Sequence, residues 1–314
     1  MRAALLLPAS VVLALSTANL PADPVTRVQG LLGLGAGNDL EFDPDEYSKD
    51  HEFAPYSPAD SDLGVQEILR PVPDRAPVRV DVSTELLWTN NAPSPTRATD
   101  DESWLWIGRA AAAWRPRLVG PLFADLGVLQ EVLRFDDSAA IDFENLDTHA
   151  GVFASLPDLD DLLVFGRYEY QRLTSGSLSD GDYLAQRVRL GARKVLWSDG
   201  RQEVGAGLDA AFDLATKADA FQRNEYALDL AYRCRLATDL EARVFCRTSF
   251  FDYDEAGRED WAWTPGVDLV WYFSNAGRLY ATVCFSENDS NTPFGANDFE
   301  SWTAGLGVGL QFQF

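Results

Sequence analysis

Eight arginines and seven carboxylates stand out as candidates for chemistry in this 314-residue chain. The arginines are Arg167, Arg187, Arg189, Arg193, Arg233, Arg235, Arg243 and Arg247. The acids are Asp125, Glu131, Asp147, Glu169, Asp209, Asp229 and Asp268. Within each local run the spacing is even, as in Arg187, Arg189 and Arg193 or Arg243 and Arg247. Residues two or four apart lie on one face of an extended strand. Opposed charges around a water-filled interior set a transverse field and select solutes by charge. Around a narrow interior the same groups pair across it and close it.

Other chemistries find little support. The only histidines are His51 and His149, and no His/Cys set has metal-ligand spacing, so no metal site and no cofactor is expected. No glycine-rich loop joins a strand to a helix to cradle a phosphate. Carboxylate pairs abound, but solvated acids in an interior or a loop explain them without catalysis. Cys234, Cys246 and Cys284 are an odd set. Strand parity points the first two outward, about four residues out of register, too far for a disulfide.

The elements that carry these groups are strands. From Val78 onward, residues alternate between apolar and polar with a period of two. Val78, Val80, Val82, Leu86 and Trp88 oppose Arg79, Asp81, Ser83 and Glu85. Val204, Ala206, Leu208, Ala210, Phe212 and Leu214 oppose Glu203, Gly205, Gly207, Asp209 and Asp213. In the last stretch Trp302, Ala304, Leu306, Val308, Leu310, Phe312 and Phe314 oppose Gly305, Gly307, Gly309, Gln311 and Gln313. Twelve such strands are predicted, near 78–89, 103–115, 121–134, 145–156, 162–173, 183–196, 202–214, 225–236, 240–251, 260–273, 277–286 and 300–314. Ala110 to Ala113 is small on both faces, and Gln186 interrupts the apolar face of the sixth strand. Long connections follow odd strands and short ones follow even strands.

Composition agrees with an ordered, non-soluble design. Net charge is −23, which excludes nucleic acid as a partner, since phosphates are repelled. Hydrophobic residues reach 46% and aromatics 12%, too many for a disordered acidic chain. Residues 1–22 read as a secretory signal, with Arg2, a short apolar run and small residues at Ser16-Thr17-Ala18. Residues 23–77 form an extension with twelve acidic and four basic side chains and several prolines. Within it only Ser61 to Arg70 has helical character, and Pro71 and Pro73 stop it. Residues 78–314 are the strand-bearing unit.

The apolar face is the aromatic one on nearly every strand. Trp88, Trp104, Trp106, Tyr168, Tyr170, Tyr226, Phe250, Trp261, Trp263, Phe285 and Trp302 fall near the long-loop ends. Trp114, Trp271, Phe273, Phe312 and Phe314 fall near the short-turn ends. Two aromatic belts with aliphatic residues between them are what two membrane interfaces select. On these residues, and on Val308-Gly309-Leu310-Gln311-Phe312-Gln313-Phe314, the chain resembles Gram-negative outer-membrane β-barrel proteins of porin-like type. The resemblance is to the class and covers 78–314. It implies an all-β, antiparallel up-and-down barrel of about twelve strands in the outer membrane, contacting outer-membrane lipid and monomeric. It also implies that Leu310, Phe312 and Phe314 are read by the barrel-assembly machinery. The His-x-Ser pair of twelve-stranded outer-membrane phospholipases fails here, because His149 is followed two residues later by Gly151. The expected role is a passive channel for small polar or charged solutes, not an enzyme. The alternative is a non-conducting, anchoring barrel whose 23–77 extension binds a periplasmic partner.

Overall fold

The computed structural model describes residues 77–91, 102–136, 142–175, 183–217, 221–254, 257–292 and 297–314. The signal, the 23–76 part of the extension and the Ser61–Arg70 segment lie outside the described residues. The strands are β1 (Val78–Thr89), β2 (Ser103–Trp114), β3 (Arg117–Val119), β4 (Leu122–Phe135), β5 (Phe143–Leu156), β6 (Leu162–Ser175) and β7 (Tyr183–Ser198). They continue with β8 (Gln202–Thr216), β9 (Arg223–Ala237), β10 (Leu240–Tyr253), β11 (Glu259–Tyr272), β12 (Gly277–Ser290) and β13 (Phe299–Gln313).

Twelve long strands form the wall, each antiparallel to its neighbours, and β13 pairs with β1 to close it. Closure places Val80 opposite Phe312 and Val82 opposite Leu310. The chain end is fastened by two backbone hydrogen bonds, Val78 N to Phe314 O at 3.1 Å and Phe314 N to Val78 O at 2.9 Å. All twelve predicted strands are present. They differ from expectation in two ways. β12 runs on to Ser290, because Glu287, Asn288 and Asp289 keep pairing with β11 although their composition is that of a loop. The short connection after β2 contains the three-residue β3, which folds back on β4 alone.

Pairing is strongly staggered. A line of direct neighbours starts at Arg79, near the short turns of β1. It passes through Ala113, Gly127, His149, Glu169, Arg187 and Asp213. By Arg223 and Tyr253 it has reached the long-loop ends of β9 and β10. This corresponds to a shift of about 18 residues per circuit, a strand tilt of about 45° and a backbone radius of about 13 Å.

The short turns use residues suited to them. Gly120 and Gly200 take φ of +54° and +84°, which favour glycine. In the β7–β8 turn, Asp199 Oδ1 accepts the backbone N–H of Arg201 at 2.9 Å and of Gln202 at 2.7 Å. Those two bonds hold its carboxyl below the usual carboxylate range.

The exterior is apolar. Leu208, Leu214, Leu230, Val244, Val267, Leu269, Val283 and Leu306 are all exposed on it, as a lipid-facing wall requires. Aromatic rings link side by side around the long-loop rim. Phe212, Tyr226, Phe250 and Trp261 form one chain, and Trp263, Phe285 and Trp302 another, with centroids 4.9–6.4 Å apart. Other outward aromatic residues hydrogen-bond outward polar groups. Tyr168 Oη donates to Gln186 Oε1, Tyr232 Oη to Gln202 Oε1 and Trp106 Nε1 to Thr84 Oγ1, each at 2.8 Å. Gln186 therefore meets the rule that a polar group facing hydrocarbon be satisfied within the protein.

Candidate functional site in the barrel interior

Inward positions carry the charges, as the alternation predicts, and they assemble into lateral networks. The first crosses β12 to β8 by way of the closing seam. Tyr280 Oη donates to Glu85 Oε1 at 2.8 Å. Glu85 pairs with Arg109, whose Nε donates to Glu131 Oε1 at 2.6 Å. Asn145 donates to Glu131 at 2.8 Å, and Gln171 to Asn145 at 3.2 Å. Arg187 then donates to Gln171 at 3.3 Å and lies 3.3 Å from Asp213. Two apolar clusters flank this belt. Toward the long loops lie Leu87, Leu105, Ile107, Leu133, Phe135, Phe143, Leu173 and Tyr183, all buried. Toward the short turns lie Phe123, Phe153, Leu163 and Phe165.

A second network covers β6 to β10. Arg189 pairs with Asp209, and lies 3.1 Å from both Glu169 and Glu225. Arg247 holds Glu225 and Asp229 at 2.8 Å and Asp209 at 3.3 Å. Arg167 binds Glu169 at 2.5 Å. Near the short turns, Arg233 lies 3.3 Å from Glu241 and 3.9 Å from Glu203. Arg235 is exposed and paired opposite Glu241. Arg243 Nη2 donates to Asp268 at 2.7 Å, and Thr282 donates to the same carboxylate at 2.6 Å. Arg193 stacks near the Phe165 ring, at 5.9 Å from its centroid, with Arg167 at 5.5 Å from the same centroid.

Every sequence-predicted arginine and acid thus faces inward, but not all are accessible. Asp125 and Glu131 are about 1% exposed and Asp268 is 0% exposed. Asp125 lies under Arg115, whose Nε donates to it at 3.0 Å, and beside His149 Nε2 at 3.3 Å. Asp147 faces inward between Leu129 and Gln171. The ion pairs named here join strands that are adjacent or one apart, so they run along the wall.

Glycines make those lateral reaches possible. Gly305, Gly307 and Gly309 line the inner face of β13. A Cβ on Gly307 would lie 2.4 Å from Tyr280 Cζ, and one on Gly309 would lie 3.2 Å from Arg278 Nε. Tyr280 crosses Gly307 to reach Glu85, and Arg278 crosses Gly309 to reach Asp81 at 3.3 Å. Other inward rings lie over a directly paired glycine: Phe245 over Gly266, Phe165 over Gly191 and His149 over Gly127. These are cross-strand ring–glycine pairs that press the ring flat to the sheet.

Sequence reasoning did not single out Arg109, Glu85, Glu225, Arg278 or Tyr280. Parity placed Glu85 on the polar face without naming it as a site, and the run Ala110–Ala113 hides the polarity of β2 and with it Arg109. Tyr280 and Arg278 needed the β12–β13 register.

A closed twelve-stranded wall, apolar and ringed by aromatics outside and charged inside, defines a transmembrane β-barrel of the outer-membrane class. No protein-family model matches the chain, and no curated protein matches it. Among solved structures, an outer membrane channel from Pseudomonas putida F1 is similar at 14% identity and a TM-score of 0.54, covering 78% of this chain and all of that one, 100%. The translocator domain of the autotransporter NalP from Neisseria meningitidis overlaps at 14% identity and a TM-score of 0.45, covering 94% of this chain and 100% of that domain. An anion-selective porin from Comamonas acidovorans overlaps at 11% identity and a TM-score of 0.38, covering 75% of this chain and 98% of that one. At these identities the likeness concerns the fold.

Proposed function

We propose that the barrel is a passive outer-membrane channel for small polar or charged solutes and carries no catalytic centre. The observation that supports this reading is the lateral course of the interior contacts. Long side chains that bind neighbours one or two strands away lie along the wall and leave the axis to water. Rings flattened over glycines act in the same direction. Arg167, Arg189, Arg193, Arg233, Arg235, Arg243 and Arg247, with Asp229, then border the aqueous path, whereas Arg187, Glu169 and Asp209 are buried in the wall beside it. Reconstitution in planar bilayers tests the reading: discrete conductance steps support it, and a sealed, silent barrel overturns it.

The non-conducting reading has one observation in its favour, the apolar cluster around Leu87, Leu105, Ile107 and Leu133 in the long-loop half of the interior. In that reading residues 23–77 bind a periplasmic partner and the barrel is an anchor. Deleting 23–77 separates the two. An anchor loses a pull-down partner and stays silent, whereas a channel keeps its steps.

A further inference from the structure

The outer face of the wall is not uniform. Of the twelve long strands, β4 and β5 alone turn no aromatic ring outward among the described residues. Their own rings, Phe123, Phe135, Phe143 and Phe153, point inward and are buried. Trp106 and Tyr168, on the strands to either side, reach away from them. Trp106 on β2 donates to Thr84 on β1, and Tyr168 on β6 donates to Gln186 on β7, each at 2.8 Å. The face left bare is low and apolar, with Leu126, Val128, Ala150 and Val152, and two polar groups are set in it, Gln130 and Thr148. Gln130 lies four residues deeper than Arg134, which pairs with Trp106 of the aromatic rim, so it is about 9 Å below that rim. Two other outward glutamines, Gln186 and Gln202, each receive a tyrosine hydroxyl on the amide oxygen. Gln130 places its N–H on the backbone oxygen of Glu131 at 3.3 Å, and no described residue meets its amide oxygen or the Thr148 hydroxyl. Lipid chains cannot satisfy such groups, and a wall without rings lacks the usual anchors at the head groups. A protein surface supplies what lipid does not.

We propose that the β4–β5 face is the contact surface of a homodimer whose two-fold axis runs along the membrane normal, between these two strands. An isologous contact of this kind sets β4 of each copy against β5 of the other. Gln130 pairs with Leu146 and Thr148 with Val128, so the two polar side chains are diagonal neighbours, each five residues inside the loop end of its strand. The axis therefore brings Gln130 of each copy to Thr148 of the other at one depth. The threonine hydroxyl donates to the amide oxygen, as Tyr168 does to Gln186 within one barrel. The rim above this face suits a second copy, because Arg134 donates to Glu144 at 2.7 Å and the two charges offset each other. On the far side the rim is acidic: Asp252 stands directly opposite Glu259, and Glu287 opposite Glu300. Two copies meeting there would repel. The dimer departs from the monomer that the class resemblance implies, and it holds whether or not the barrel conducts.

The test uses the full-length barrel. Sedimentation equilibrium in detergent micelles is expected to show a reversible dimer, and Gln130→Leu is expected to raise its dissociation constant by about tenfold. Folding is read by the heat-dependent gel shift, and Thr148→Val, with the same expected effect, substitutes where Gln130→Leu fails to fold. A wild type that stays monomeric, whether with lipid alone or with a different protein bound, overturns the inference. So does a folded Gln130→Leu barrel with an unchanged constant. The face itself is read by oxidation in membranes, with Cys234 and Cys246 replaced by alanine. Ala150→Cys is expected to form a disulfide-linked dimer at least about tenfold faster than Leu269→Cys, which is exposed on the far side of the barrel. Equal rates overturn the assignment to β4–β5.

Discussion

Tyr280 Oη donates to Glu85 Oε1 at 2.8 Å across the whole width of β13, and Gly307 is the residue it passes over. The bond joins the second-last strand to the first, so it fastens the seam at which the barrel closes. Any side chain at 307 evicts the tyrosine ring.

Replacement of Gly307 by alanine is therefore expected to destabilise the folded barrel by about 1–3 kcal/mol, the usual range for overpacking. Tyr280→Phe removes only the hydroxyl bond and is expected to cost about 1 kcal/mol. In the double variant Gly307→Ala/Tyr280→Ala the cost is expected to be less than the sum of the Gly307→Ala and Tyr280→Ala single variants, because the clash is gone. Guanidinium unfolding in vesicles, followed by tryptophan fluorescence, measures all four. Strict additivity would sink the steric argument.

Arg109 is the next fastening on the seam side. Its side chain is about 3% exposed and bridges Glu85 and Glu131, each about 1% exposed. Arg109→Ala leaves two carboxylates in a water-poor site with no counter-charge. A loss of about 3–5 kcal/mol is expected. Arg109→Lys keeps the charge but cannot bind both acids in a fork, so it is expected to fall between the two. The same unfolding series reads the order, and an alanine variant as stable as the wild type would contradict it.

How much of this was legible beforehand depends on what a period of two can encode. It encodes faces. Val80, Val82 and Trp88 out, with Asp81 and Glu85 in, follows from alternation alone, and so do the faces of most strands of the wall. The closure of β13 on β1 followed from counting strands. What alternation cannot encode is register, and register decides partners. In the sequence Gly305, Gly307 and Gly309 are only small residues on the polar face of the last strand. The pairing shows that at Gly307 and Gly309 the space is taken by Tyr280 and Arg278 on their way to β1. The choice between lateral and transverse ion pairs is a register question too, since it depends on which residues two strands apart share a height. Arg109 was missed for a simpler reason, that four alanines beside it blur the faces of β2.

The lipid-facing assignment can be checked by depth. Leu208 sits at the middle of β8 and Leu236 near the short-turn end of β9, both exposed on the outer face. Leu208→Arg is expected to destabilise by about 2–4 kcal/mol and Leu236→Arg by about 0–1 kcal/mol. Equal costs would mean that the exterior does not face a hydrocarbon core.

Phe314 separates assembly from stability. Its side chain is 68% exposed and follows the last residue of β13, while its backbone alone is tied to Val78. Phe314→Ala leaves that backbone pair in place, so refolding into detergent or vesicles is expected to give an unfolding free energy within about 0.5 kcal/mol of the wild type. If the alternating run Leu310, Phe312, Phe314 is the signal read by the assembly machinery, the amount of folded barrel in the outer membrane of an expressing cell falls severalfold all the same. Leu306→Ala, exposed on the same face of β13 but four residues before Leu310, is the control and is expected to keep its level. Equal membrane levels for both variants would remove the signal role from Phe314. A matching loss of stability in vitro would make its role structural.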